Sequence, residues 1–405
     1  MATTAGELVG LSATPHVAAA TGRNSRLLSI DLLRGLVMIL MALDHTRDFL
    51  GDPRVSPTDL EHASIALFLT RWITNFCAPV FFLLTGTGAY LSLQNRTRGE
   101  LSSFLLTRGI WLIVLELTLF RCIGMQFNFD YQVTILNVLW ALGWSMVALS
   151  GLVWLPLRWI VVLGVLLICC HNLLDTVSFS NPLWTVLHRP GFLLSTPRYT
   201  VRIAYPLIPW IGVTAAGYGL GEIFRWDPAH RRRLLLAAGI GLAVLFVVLR
   251  WTRFYGDPIA WEIESSPALT VLSFLDTSKY PPSLLFLLMT LGPALLLLWA
   301  ADRGVPGFVH PAVTLGRVPM FFFLLHMPLI HLLAVLVCLV RYSSIHWMFE
   351  SPSISQFPFT PPPGWGLSLP LIYLCWVGVV VTLYPVCRWF AALKQRHTWR
   401  WLSYA

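Results

Sequence analysis

Residues 30–49 read IDLLRGLVMILMALDHTRDF, and the architecture of the chain turns on how that stretch is understood. It is as long and as apolar as a helix that crosses ~30 Å of hydrocarbon, for which about 18 or more residues are needed. Yet it carries ionisable side chains. Asp31, Arg34, Met38, Met41, His45 and Asp48 recur at steps of three and four, so they share one helical face. Arg34 and His45 are three turns apart, nearly superposed in angle and about 16 Å apart along the axis. A charged group at mid-membrane costs at least ~2.5 kcal/mol, so such groups face a bundle interior or a wet cavity.

The rest of the chain has the same character. Of 405 residues, 56% are hydrophobic and 12% charged, about half the charged fraction of an average soluble domain. Mean hydropathy is +0.70. The 18 Trp and 24 Phe supply aromatic mass of the kind found at lipid headgroups and in helix packing. These values argue against a soluble enzyme and against disorder. Seven Cys scattered mostly inside apolar runs, with no CxxC pair, form no disulfide framework. The net charge of +9 lies between hydrophobic runs and not in one basic patch, so no nucleic-acid partner is expected.

Apolar periodicity and length predict an all-α fold, a polytopic bundle of about ten transmembrane helices. They fall at 29–50, 71–93, 101–120, 133–155, 159–174, 201–224, 234–250, 282–301, 318–340 and 367–390. Lys and Arg crowd one set of connections, as at Arg96, Arg98, Arg225, Arg231 to Arg233, Arg303, Lys394 and Arg396. They are sparse in the other set, at Arg54, Arg189, Arg198, Arg253, Lys279 and Arg341. The positive-inside rule then puts both termini in the cytoplasm, with Arg34 toward the inside and His45 toward the outer half. Residues 1–28 are expected to be a flexible cytoplasmic tail, 29–392 one membrane domain and 393–405 a second cytoplasmic tail. The outer segments near 172–200, 251–281 and 341–366, rich in Pro, Trp and Ser, have room for short helices that cap a cavity.

Candidate functional residues emerge from chemistry. A neutral imidazole serves as a general base near pH 7, which favours His45. Asp48, one turn on, can orient it, whereas Asp44 and Arg47 read as charges at a helix end. Arg71 and Asn75, one turn apart in the second helix, can face His45 across a cavity. Arg108 and Glu116, two turns apart in the third helix, either pair with each other or let Arg108 reach a donor substrate, with Glu116 structural. His326 and His331 are five positions apart and diverge around their helix, so they do not converge on a metal, and none is expected. The three glycines of GYGLG, residues 217–221, suit close helix packing better than a phosphate loop.

These residues also carry a resemblance. Arg34-Gly35 in DLLRGL, ten intervening residues and then His45 are similar to the signature of the integral-membrane acyltransferases that acylate cell-surface sugars. In that superfamily the histidine is the proposed base. More closely, the DLLRGL start and FFLLTG at 81–86 resemble the heparan-alpha-glucosaminide N-acetyltransferase catalytic-domain family. So do the stretches at 205–221, 279–293 and 315–331, which are similar to bacterial members. The resemblance implies acetyl transfer from cytoplasmic acetyl-CoA, a co-substrate, to an amino-sugar or glycan acceptor on the outer side. It places the protein in a membrane, the bacterial inner membrane, among lipids and compatible with a homodimer. Lys279 matches a lysine that precedes a membrane helix in the family, and His326 fits its LLH pattern. The human-type enzyme has Asn where His45 stands and its proposed catalytic histidine about a dozen residues further on. The nearest histidine here is His62, which makes it the second candidate base.

The expected function is thus membrane acetyl transfer, with Arg34 and Arg108 on the donor and Arg71, Asn75, Lys279 and His326 toward the acceptor. His45 acts as base or carries the acetyl group itself. The alternative is a glycan or lipid transporter that uses the intramembrane charges for coupling.

Overall fold

The computed structural model describes residues 27–179, 181–342, 344–353 and 358–397. The first part comprises α1 (Leu28–Leu50), α2 (Ile65–Thr74), α3 (Cys77–Leu91) and α4 (Arg98–Leu115), which runs on as a π-helical stretch over Glu116–Met125. Then come β1 (Val133–Leu136), α5 (Val138–Leu152), α6 (Leu157–Cys170), α7 (Pro182–Leu187), β2 (Gly191–Ser195) and β3 (Thr200–Ile203). The second part holds α8 (Leu207–Ile223), α9 (Pro228–Thr252), α10 (Pro267–Leu275), α11 (Leu284–Arg303), α12 (His310–Gly316), α13 (Pro319–Arg341) and α14 (Leu369–Arg396).

Local chemistry sets where these helices begin. Thr97 and Glu100 form a reciprocal capping box at α4. Asp227 accepts from the N–H groups of Ala229 and His230 ahead of Pro228 at the start of α9. Ser283 accepts from the Phe286 N–H at α11.

Each of the ten expected segments contains a helical stretch. Among the described residues, seven helices are long and apolar enough to cross a membrane. The shorter α5 and α8 have 15 and 17 residues, and α1 carries Asp31, Arg34, Asp44, Arg47 and Asp48. Two expected spans start too early. The fourth opens with β1 and the sixth with the end of β3, so the fold is helical with a small sheet rather than purely α. The order is β1-β3-β2, with β3 parallel to β1 and antiparallel to β2. VTIL and TVRI contain the β-branched residues that suit a pleated surface. Tyr205-Pro206 then keeps α8 from starting sooner. The last helix runs to Arg396, past the expected domain limit at 392; residues 1–26 and 398–405 of the two expected tails lie outside the described residues.

Helix packing centres on α1, which is enclosed by α2, α3 and α11 to α14. Backbones touch where glycine allows it. A Cβ on Gly35 would lie 1.7 Å from the Ala312 carbonyl oxygen, and one on Gly316 would lie 1.8 Å from that of Asp31, so α1 and α12 are in backbone contact. The same holds between α3 and α8, where a Cβ on Gly217 would meet the Leu83 carbonyl at 2.1 Å. The outward faces of α6, α9 and α14 keep large apolar side chains such as Leu166, Val247 and Leu374 exposed, as lipid-facing surfaces do.

Candidate functional site

Two cavities lie along α1. The larger, 590 Å³, surrounds its C-terminal half and is lined by Asp44, His45, Arg47, Asp48, Arg71, Asn75 and Lys279, among others. The smaller, 320 Å³, lies at the other half, where Arg34, Arg108, Arg317 and Lys394 bring four cationic side chains to its wall. Phe81, Val138 and Phe323 line both, so the cavities meet at an apolar partition contributed by α3, α5 and α13.

Asp44 is the hub of the larger cavity. Its carboxylate accepts from Arg71 Nη1 at 3.0 Å to each oxygen and from Thr74 Oγ1 at 2.7 Å, and it lies 2.8 Å from Arg47 Nη2. Arg47 Nη2 also donates to Asp48 Oδ1 at 2.6 Å. Sequence spacing alone reads Asp44 and Arg47 as charges at a helix end, because the Arg71 partner arrives from α2. Arg71 stands near the end of that helix and Asn75 at its C-cap, where the chain turns into α3. Asn75 is buried, and its Oδ1 has no hydrogen-bond partner among the described residues.

His45 faces the cavity with its Nδ1 3.7 Å from Asp48 Oδ2, too far for a hydrogen bond but close enough for electrostatic orientation. On its other side the His326 ring lies 5.3 Å away, centroid to centroid. His326 is fully buried, and its Nδ1–H donates to the Phe323 carbonyl at 2.6 Å. Its Nε2 therefore holds a lone pair, which no described residue engages. Although it touches His45, His326 is not among the lining residues of either cavity. His62 is well exposed on the loop before α2 and pairs with Asp59 at 2.8 Å, which lowers the Asp59 carboxyl below its ordinary range. Its neighbours Ser56, Pro57 and Thr58 reach the larger cavity, whereas His62 does not line it.

At the smaller cavity Arg34 Nη1 lies 3.4 Å from both Asp31 Oδ1 and the Gly316 carbonyl. Arg108, two turns before Glu116, does not pair with it, since Glu116 is engaged by the backbone of α5. Glu116 is buried and accepts the Leu139 N–H at 3.1 Å, capping α5 from the neighbouring helix.

The expected outer segments contribute Pro190, Ile259 and the run Asp276 to Tyr280 to the larger cavity, and Arg202 reaches it from β3. Burial pushes the Asp276 carboxyl up to about 6, with Asp257 adding to the rise and Arg250 and Arg71 opposing it. No group of three or more His, Cys, Asp or Glu among the described residues could hold a metal ion. His331 stands apart from His326, with Nε2 donating to the Met348 carbonyl at 2.8 Å and its ring stacked on Phe127. The glycines of GYGLG sit against Leu83, Val161 and Tyr90 as packing residues.

None of the curated proteins compared with the chain matches it. A family model described as heparan-alpha-glucosaminide N-acetyltransferase, catalytic, matches residues 26–253. That stretch is more than half of the 405 residues and runs through α9. It takes in Arg34, His45, Arg71, Asn75 and Arg108, while Lys279 and His326 lie C-terminal to it. With its apolar bundle and its two cavities around one charged helix, the chain belongs to the heparan-alpha-glucosaminide N-acetyltransferase catalytic family, a family of membrane acetyltransferases.

Proposed function

We propose that the protein moves an acetyl group from cytoplasmic acetyl-CoA to an amino-sugar or glycan acceptor on the outer side of the membrane. One observation carries this reading. A single helix, α1, presents Arg34 to one cavity and His45 to the other, and the two cavities adjoin at Phe81, Val138 and Phe323.

The cations of the smaller cavity, Arg34, Arg108, Arg317 and Lys394, fit a polyphosphate, since guanidinium and ammonium groups bind phosphate oxygens through charge-assisted hydrogen bonds. They would hold the coenzyme, which supplies an activated thioester. In the larger cavity Asp48 faces Nδ1 of His45, leaving Nε2 to take the proton of the acceptor as its nitrogen or oxygen attacks the acetyl carbonyl. As the new bond forms and the carbon–sulfur bond breaks, His45 returns that proton to the departing sulfur. Lys279 supplies positive charge for the developing oxyanion, and Asn75 and Arg71 line the acceptor's side.

The experiment is release of coenzyme A thiol from acetyl-CoA by purified protein in detergent, with a panel of amino sugars. His45→Ala lowers turnover at least ~10²-fold with the fold intact, the lower range for loss of a general base. His62→Ala, at a side chain that does not line the cavity, leaves it unchanged. Equal turnover by His45→Ala and the native protein overturns the assignment. Uptake of a glycan into liposomes with no thiol release favours a transporter.

A further inference from the structure

Of the three carboxylates that line the larger cavity, two are already taken up by the protein. Asp44 is held by Arg71, Thr74 and Arg47, and Asp48 accepts from Arg47. Asp276 is different, because no described residue donates to its carboxylate. It is the C-cap of α10, its N–H bonded to the Leu272 carbonyl, and its own carbonyl accepts from the Arg250 guanidinium. Arg250, 2% exposed, directs its other donors to the carbonyls of Phe274, Ser273 and Ile259 at 3.0, 3.0 and 2.6 Å. The carboxylate nearest to Arg250 is Asp257, at 3.9 Å. Asp257 in turn accepts from the Ser278 N–H at 3.0 Å and from Ser283 Oγ at 2.6 Å. The buried polar residues around Asp276 therefore fix its backbone and leave its side chain without a donor.

For stability this is a poor place for a negative charge. The C-terminal end of a helix carries partial negative charge of its own, and a partly buried carboxylate without a donor opposes folding. Breaches of local rules of this kind concentrate at functional groups. A second observation points the same way. Asn75, 8% exposed, lines the same cavity, and its Oδ1 is also without a donor. Two uncommitted hydrogen-bond acceptors among the residues lining one cavity call for a ligand that brings donors. Since one of the two is ionised, that ligand is best matched by a cationic donor.

We infer that Asp276 binds the ammonium group of a primary-amine acceptor in the larger cavity, with Asn75 Oδ1 accepting from the same molecule. This rests on the reading of that cavity as the acceptor site, and it selects amine acceptors over sugars that offer hydroxyl groups alone. Before attack the ammonium releases one proton to solvent, which frees the nitrogen lone pair; the second proton leaves for His45 as the amide forms and passes to the departing sulfur.

The test uses full-length protein in detergent, with glucosamine and glucose as probes and two variants, Asp276→Asn and Asp276→Glu. With glucosamine, Asp276→Asn raises KM at least about tenfold, the loss expected for a hydrogen bond to a charged partner. The same variant changes kcat by less than about threefold. Asp276→Glu, which keeps the charge, recovers most of that loss, and neither variant alters the response to glucose. An unchanged KM in Asp276→Asn, or equal losses with both sugars, overturns the inference. Should the native protein release no thiol with any acceptor, the acetyl-transfer reading fails, and Asp276 is then decided by equilibrium binding. Glucosamine binding that exceeds glucose binding and is abolished by Asp276→Asn supports the assignment; equal binding of the two sugars, or none, overturns it.

Discussion

His45 and His326 face each other from α1 and α13 with ring centroids 5.3 Å apart and planes inclined at 44°. Because the Phe323 carbonyl takes the Nδ1–H of His326, the nitrogen left over is an acceptor without a donor in a fully buried setting. If His45 is the base, as proposed above, His326 is placed to act through it as a positioning residue that favours one orientation of that ring. His326→Ala is expected to lower kcat by about 10- to 100-fold, the range by analogy with removal of the partner that orients a metal-bound imidazole. KM for donor and acceptor should stay within about twofold. A change in KM alone, with kcat intact, would show that His326 contributes to binding instead.

Asp44 neutralises two guanidinium groups that reach it from different helices. Removing it leaves Arg47 and Arg71 partly buried with their shared counter-charge gone. Breaking such an arrangement from one side costs about 3–5 kcal/mol. Asp44→Ala is therefore expected to lose most of its folded yield or to unfold far earlier in denaturant. The double variant Asp44→Ala/Arg71→Ala should recover part of the loss. A single variant as stable as the native protein, measured by denaturation in detergent, rules out Asp44 as the hub.

Backbone contact between α1 and α12 depends on Gly35. The methyl group of Gly35→Ala would fall 1.7 Å from a carbonyl oxygen, a backbone atom that cannot move aside without separating the helices. Loss of folded protein by at least ~2 kcal/mol, within the range for overpacking, is expected. Gly378→Ala, on an open face of α14 with nothing within 4 Å, is the control and should melt like the native protein or slightly above it. Size-exclusion profiles and thermal melts of the two variants decide the matter.

The raised pKa of Asp276 bears on stability. A carboxyl that binds its proton more tightly folded than unfolded favours the native state fully below about pH 4, and that contribution is lost as pH rises through about 6. Above that point the native protein holds an ionised group that burial disfavours. Asp276→Asn should therefore melt about 1–4 °C higher than the native protein at pH 7.5, with the gap closing by about pH 4.5. A gap that is the same at both pH values would mean that Asp276 is not the titrating group. Higher stability with weaker acceptor binding is the expected exchange at a functional residue.

How much of the site is legible in the sequence depends on whether the partners of a residue lie on its own helix. Arg34 and His45 can be placed on one face because 3.6-residue periodicity fixes angles within a helix. The clustering of Asp44 with Arg71 and Thr74, in contrast, spans separate helices. Nothing in the spacing of the α1 charges points to it. The role of Glu116 is hidden for the same reason, since its partner is the backbone N–H of Leu139. The small sheet escapes because VTIL and TVRI abut apolar helices, and periodicity cannot divide so short a run from the helix beside it. Asp276 gives no signal at all. An isolated acidic residue in a segment rich in Ser and Pro looks like any solvated loop charge until the cavity is seen.

The partition formed by Phe81, Val138 and Phe323 has an electrical meaning. Wherever aqueous solution fills the recesses on either side of it, the potential drop of an energised bilayer is compressed from ~30 Å of hydrocarbon onto a waist a few side chains thick. Each elementary charge carried through that waist would experience most of the available ~2.3 kcal/mol per 100 mV. A proton crossing there would thus be sensitive to membrane voltage, whereas a neutral acetyl group would not.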